Sequence, residues 1–231
     1  MFKRGFPEII EASDSFAKRY VKDILLGRII YRDIWEAFNV KDMGLVRDLS
    51  ELLLAAPGSV VNVNSLADEL DKARKTVSNV LDYLEFSFVL KMFQNLRGPK
   101  LTPSRKDQKA YPTHCSFAPT DDETLLAKTL VCNAVETLGY WTSGSSEVDF
   151  LVRVGTNTIP VSVNLKDSLT DSDLAGIKNF CRRFNLMRGV VVTKEQRGRM
   201  KWADLIPLHI FLSNPEKYLT PVELPVRIHL R

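Results

Sequence analysis

The 231-residue chain is poor in the side chains that carry most metal and redox chemistry. It has three cysteines and three histidines. Cys115, Cys132 and Cys181 are odd in number and widely spaced, which excludes a disulfide scaffold and reads as reduced cytosolic thiols. His114, His209 and His229 have no zinc-ligand spacing among them, so neither a metal nor a cofactor is expected. No apolar run reaches the ~18 residues of a membrane span, and Met1-Phe2-Lys3-Arg4-Gly5-Phe6-Pro7-Glu8 lacks the apolar core of a signal peptide. These absences predict a cytoplasmic protein with no membrane partner. Gly-x-x-x-x-Gly-Lys-Ser/Thr, Gly-x-Gly-x-x-Gly, Gly-x-Ser-x-Gly and His-Glu-x-x-His are all missing. The residues given therefore contain no element for ATP hydrolysis, dinucleotide binding or serine and zinc hydrolase chemistry.

What is present is ordinary globular material: 45% hydrophobic and 26% charged residues, enough to bury a core without staples. The net charge of +4 is mild, but the basic residues are clumped. Arg97, Lys100, Arg105, Lys106 and Lys109 stand against Asp107, and Arg182, Arg183, Arg188, Lys194, Arg197, Arg199 and Lys201 stand against Glu195. Such clusters track phosphates, although a solvated face produces the same pattern.

Four segments follow. Residues 1–40 read as a helical segment: Ser13 is placed to cap it, Phe16, Tyr20, Ile24 and Leu25 recur at helical spacing, and Gly27 is placed to interrupt it. Residues 41–98 read as helix, short strand, helix, basic turn, helix and apolar strand, the order of a winged helix-turn-helix. Its second helix of the pair would begin near Thr76 and bury Val77, Val80, Leu81 and Leu84. It would present Arg74, Lys75, Thr76, Ser78 and Asn79 to duplex DNA. Winged helices also serve as protein-docking modules, and both readings stay open here. Residues 99–121 read as a polar, proline-containing connection with at most one or two short strands.

Residues 122–231 alternate between helix and strand, which predicts an α+β chain closed by a mixed sheet. A helix is expected from Asp122 to Leu138, capped by Gly139. Strands are expected at 140–142, 147–154, 159–165 and 188–193, with a helix at 172–184 and a final strand or edge segment at 206–212. Asp149 lies on one strand of a hairpin. Ser162, Asn164 and Lys166 would share one face of its partner. A polar row on an otherwise apolar strand resembles a metal-nuclease core, in which carboxylates hold Mg²⁺ and a lysine serves the attacking water.

These residues carry a family resemblance. Leu125-Leu126-Ala127-Lys128, Gly139-Tyr140-Trp141, Glu147-Val148-Asp149-Phe150-Leu151, Ile159 to Asn164 and Gly189 to Thr193 are similar to the C-terminal domain of archaeal and bacterial P-loop ATPases of the AAA type. Arg4-Gly5-Phe6-Pro7-Glu8 and Tyr20-Val21-Lys22-Asp23-Ile24 resemble the stretches that precede it. The resemblance implies a winged helix followed by a restriction-endonuclease-like, PD-(D/E)xK domain, and a P-loop ATPase domain as partner in cis or in trans. It begins where that ATPase domain ends, which implies a piece of a longer chain or a free-standing remnant. Apolar residues near Phe2, Phe6 and Ile9 would then be exposed as the old contact.

The departures bear on chemistry. Glu-Val-Asp-Phe is kept, but the helix glutamate of the family falls at Ala127, and the strand Glu-x-Lys falls at Ser162 and Asn164. Glu123, one turn before Ala127, and Lys166, two residues beyond Asn164, are the candidate replacements. One remaining carboxylate holds Mg²⁺ poorly, so the expectation is a nuclease-like fold kept without its chemistry. The chain is expected to be a DNA-associated module. A protein-docking region for an ATPase and a divergent Mg²⁺-dependent nuclease using Glu123, Asp149 and Lys166 are the alternatives.

Overall fold

The computed structural model describes residues 5–219, without the side chain of Arg105. Phe2, Arg4 and His229 lie outside the described residues. The chain is mixed α/β, with a helical N-terminal part and a mixed sheet. It divides into two compact units: residues up to Phe93 with Arg105–Asn133, and Gln94–Ser104 with residues from Ala134 onward.

The first unit opens with a helical run over 14–38. It comprises α1 (Asp14–Arg19), wide π turns at Tyr20–Leu26 and Ile29–Ile34, and α2 (Trp35–Phe38). Ser13 caps it by accepting from Phe16 N at 3.3 Å. Gly27 does not interrupt the run. The buried positions are Ala17, Val21, Leu26, Ile30 and Ile34, whereas Phe16 and Ile24, expected inside, are 43% and 53% exposed. The physical reason is the wide turn: i→i+5 bonding puts more residues in each turn, so the inward positions recur every four to five residues. Ile9 is fully buried, and Phe6 packs on His114 with ring centroids 4.7 Å apart. The expectation that both are exposed is therefore corrected.

Next come α3 (Met43–Ala55), β1 (Val60–Val61), α4 (Val63–Glu69), α5 (Arg74–Phe86), β2 (Leu90–Arg97) and β3 (Thr102–Pro112). Asp42 caps α3 through Leu45 N at 3.0 Å, and Asn62 caps α4 through the amides of Asn64 and Ser65. α5 buries Val77, Val80, Leu81 and Leu84 against Leu45, Leu49 and Leu53 of α3, in one core with the N-terminal run. β3 lies between β1 and β2 and pairs antiparallel with β1, Val60 opposite Lys109. Much of the segment read as a connection is thus strand. The unit closes with α6 (Glu123–Ala134), whose Leu126 packs with Cys115 and Ala118.

The second unit is a mixed sheet. The end of β2 pairs parallel with β4 (Thr137–Ser143) at Asn95 and Tyr140. β5 (Ser146–Val154) and β6 (Asn157–Asn164) continue it as an antiparallel hairpin. β7 (Gly189–Thr193) and β9 (Ala203–Pro207) follow in parallel, with two-residue β8 (Gly198–Arg199) at the edge. α6 ends four residues short of the expected Leu138. The chain needs Thr137 onward for β4, where Gly139 sits at a register shift rather than at a helix cap. A Cβ at Gly139 would stand 2.4 Å from Gln94 O, so only glycine lets the backbones approach. The apolar run at 206–212 is the end of β9 followed by α8 (Leu208–Ser213), because Pro207 donates no ladder bond. α9 (Pro215–Tyr218) ends the described chain.

α7 (Ala175–Phe184) packs on β5, burying Ile177, Phe180 and Cys181 against Trp141, Val148 and Leu151. Its approach is fixed by Gly176, whose missing Cβ would lie 1.8 Å from Glu147 O, and by Asn179, which donates to Ser146 Oγ at 2.7 Å.

Candidate nucleic-acid interface

α5 starts from Ala73, in extended conformation and with no side-chain cap. Asp71, at φ +48°, and the Lys72 N–H to Ala67 carbonyl bond at 2.9 Å turn the chain out of α4 and into it. Lys72 is held to Asp42 at 2.8 Å, and that hydrogen bond holds the Asp42 carboxyl below the usual carboxylate range. The first turn of α5 carries no acidic residue. Arg74, Lys75 and Thr76 are exposed there, and Ser78 and Asn79 are half-buried. Two cations at a helix N-terminus oppose its positive end, so this tip is electrostatically complementary to an anion.

Arg74 also lines a cleft of about 460 Å³ together with Asn62, Val63, Asn64 and Lys106. Asn62 is fixed by its capping bonds and by donating to Asp107 Oδ1 at 3.2 Å. Lys106, on β3, was visible only as part of a basic run. The β1–β3 pairing brings it to the same cleft as Arg74, and nothing local in the sequence signals that.

In the second unit the basic residues of 182–201 divide into two kinds. Arg182, Arg188, Arg199 and Lys201 converge on Trp202 and Asp204. Arg199 Nε donates to Asp204 Oδ1 at 2.7 Å, and Arg188 Nε lies 2.9 Å from Asp204 Oδ2. The Arg188 N–H is not aligned on that oxygen, so the contact is one of charge rather than a hydrogen bond. Arg182 stands over the Trp202 ring at 5.3 Å and Lys201 at 5.7 Å. Arg183, Lys194 and Arg197 are exposed outside this set.

The nuclease-like constellation is occupied by structural contacts. Asp149 is 6% exposed, and its Oδ2 accepts from Val163 N of β6 at 2.9 Å. Ser162 and Asn164 are half-buried on β6. Lys166 does not extend their row: β6 ends at Asn164, whose Oδ1 accepts from Lys166 N at 3.1 Å. The Lys166 ammonium is paired with Asp173, which also accepts from the Thr170 amide and hydroxyl. Those bonds, led by the one from Lys166, hold the Asp173 carboxyl well below its usual range. Glu123 lies on α6 of the first unit, whereas Asp149 and Lys166 belong to the second. Ala127 is 1% exposed. Among the described residues no group of three or more His, Cys, Asp or Glu is placed to hold a metal ion. The three cysteines are buried, and burial pushes Cys132 and Cys181 up to about 12, so neither thiol is a nucleophile at neutral pH. No helix among the described residues is long and apolar enough to cross a membrane.

Two family models match the chain. One, described as a domain of unknown function (DUF8612), covers residues 1–118. The other, described as a domain of unknown function (DUF4143), covers residues 123–211. No curated protein and no solved structure matches.

Proposed function

The chain belongs to the DUF8612 family, and we propose that it is a non-catalytic, DNA-associated module. In this reading α3, α4 and α5 with β1–β3 form a winged helix-turn-helix, and α5 enters the major groove of a duplex. Arg74, Lys75, Thr76, Ser78 and Asn79 face the bases and phosphates, and Lys106 holds the flanking backbone. The second unit is an endonuclease-like scaffold whose polar strand positions tie strands together instead of binding Mg²⁺. The reading includes a P-loop ATPase domain as partner, in cis or in trans.

The observation that carries this reading is the cleft shared by Arg74 and Lys106 beside the uncapped start of α5. It joins a cation from a helix tip to one from a strand, at a spot where the first turn offers no carboxylate of its own. The engaged state of Asp149 and Lys166 favours the non-catalytic form over a metal nuclease.

Fluorescence anisotropy of a labelled random duplex at two salt concentrations tests it. Three phosphate contacts, from Arg74, Lys75 and Lys106, give a slope of about −2.7 in log K against log salt. Affinity should therefore fall about 40-fold from 50 to 200 mM salt. Arg74→Ala with Lys75→Ala should flatten that slope by about 2. No binding at low salt, or binding indifferent to salt, refutes the reading and moves the assignment to protein docking.

A further inference from the structure

We propose a second polyanion site in the second unit, built around Asp204 and Trp202, that binds the phosphates of single-stranded nucleic acid. It rests on the nucleic-acid association proposed above but uses none of the same residues. Four elements supply it. Arg182 comes from the last turn of α7, Arg188 from the entry to β7, Arg199 from β8, and Lys201 and Trp202 from the turn into β9. Strand pairing makes the assembly: Arg199 is directly opposite Asp204, and Gly189, next to Arg188, pairs with Ala203, next to Trp202.

The charge balance points to the ligand. Two arginines meet the Asp204 carboxylate and two further cations stand over the Trp202 ring, so these residues alone carry 4 − 1 = +3. Like charges repel within the screening length of physiological salt, ~8 Å, and Arg188 and Arg199 share one carboxylate. Asp204 offsets these two and the indole face steadies the other two. An anionic chain relieves what is left. The guanidinium geometry suits that role. Both arginines meet Asp204 through Nε, which leaves their terminal amino groups to other acceptors, and planar forks of this kind match phosphate oxygens. Arg188 is the inner anchor, with its side chain 17% exposed, and Arg199 the open arm at 65%.

Trp202 decides the class of nucleic acid. It is half-buried: it packs against the apolar core of the second unit, and Arg182 and Lys201 stand over its ring. An aromatic ring amid cations is the combination that holds unpaired bases by stacking while the backbone is tracked electrostatically. A stacked duplex offers no free base face, so the site discriminates for a single strand.

The test uses the whole chain and a labelled oligothymidylate. Arg182→Ala with Lys201→Ala should weaken binding at least 10-fold at low salt, with the urea midpoint unchanged. Oligonucleotide should quench tryptophan emission in the parent protein. That quench should be lost in Trp202→Phe, which separates Trp202 from Trp35 and Trp141. Arg74→Ala with Lys75→Ala should leave oligonucleotide affinity within twofold while it weakens duplex binding. The proposal is overturned if the Arg182/Lys201 variant binds oligonucleotide within twofold of the parent, or if the quench survives in Trp202→Phe. It is also overturned if inorganic pyrophosphate competes as well as the oligonucleotide, phosphate for phosphate, since the site would then be one for free phosphate. Loss of oligonucleotide binding in the α5 variant alone would overturn this site and leave the α5 reading standing. Loss of duplex binding in neither variant would sink the α5 reading and leave this site to its own result.

Discussion

Asp149→Ala should destabilise the protein and change nothing that depends on a metal. Asp149 is 6% exposed on β5, and its Oδ2 receives the Val163 amide of β6 at 2.9 Å. Val163 is itself 6% exposed. Truncation removes this buried hydrogen bond and leaves the Val163 N–H unsatisfied, a cost of ~1–3 kcal/mol. For a chain of this length that is a fall in Tm of ~2–4 °C per kcal/mol. Asp149→Asn retains an acceptor oxygen and should lose less than half as much. The assay is urea unfolding followed by circular dichroism, with and without Mg²⁺. Asp149→Ala within ~0.5 kcal/mol of the parent refutes the strand-tie role. A parent protein stabilised by Mg²⁺ in an Asp149-dependent way would refute it differently, by showing that the carboxylate is a ligand.

Gly176→Ala should destabilise by more than the ~1–3 kcal/mol of ordinary overpacking, because the new methyl would meet Glu147 O at 1.8 Å and a backbone carbonyl cannot rotate away. An unchanged urea midpoint would show that α7 sits farther from β5. His114 sets the expected pH dependence. Burial pushes its imidazole below the usual value, and its Nδ1 accepts from Ser116 N at 3.1 Å, so it is neutral when folded. The unfolded chain then binds the proton more readily, and the His114 contribution is complete above about pH 6.5 and lost as pH falls through the lower folded value. Unfolding free energies at pH 7.5 and 5.0 should differ more in the parent than in His114→Asn, and equal differences would refute the assignment.

Legibility in the sequence followed how local the cause was. The α5 core face, Val77, Val80, Leu81 and Leu84, is written in one helical period and is buried as read. In the N-terminal run the π turns lengthen the repeat, so a 3.6-residue template puts Phe16 and Ile24 inside although both are exposed, while Ile30 and Ile34 are buried. β3 was missed as a long strand because Thr102 to Gln108 is polar and includes Pro103. Pairing with β1 and β2, not its own composition, makes it strand. Lys166 was placed on β6 by counting in twos, but the strand stops at Asn164, where that side chain accepts the Lys166 amide. The exposure of Arg74, Lys75 and Thr76 at the start of α5 is legible because the three are consecutive in the sequence. Lys106 beside Arg74, and Asp204 between Arg188 and Arg199, are not, since strand register alone brings them together.

Both candidate surfaces set cations beside a polar residue that is itself held in place. In the first unit Asn62, locked by two amides and Asp107, borders the cleft of Arg74 and Lys106. In the second, Asp204 holds Arg188 and Arg199. Each set offers only three or four phosphate contacts, which by counterion release alone gives weak binding at physiological salt. Two weak sites on one chain gain by effective concentration when a single nucleic acid reaches both. A duplex with a single-stranded tail should then bind more tightly than either part alone, and disabling either set should reduce its affinity to that of the remaining site. Additive independence of the two sets on the tailed substrate, with no gain over the separate parts, would show that one nucleic acid does not bridge them.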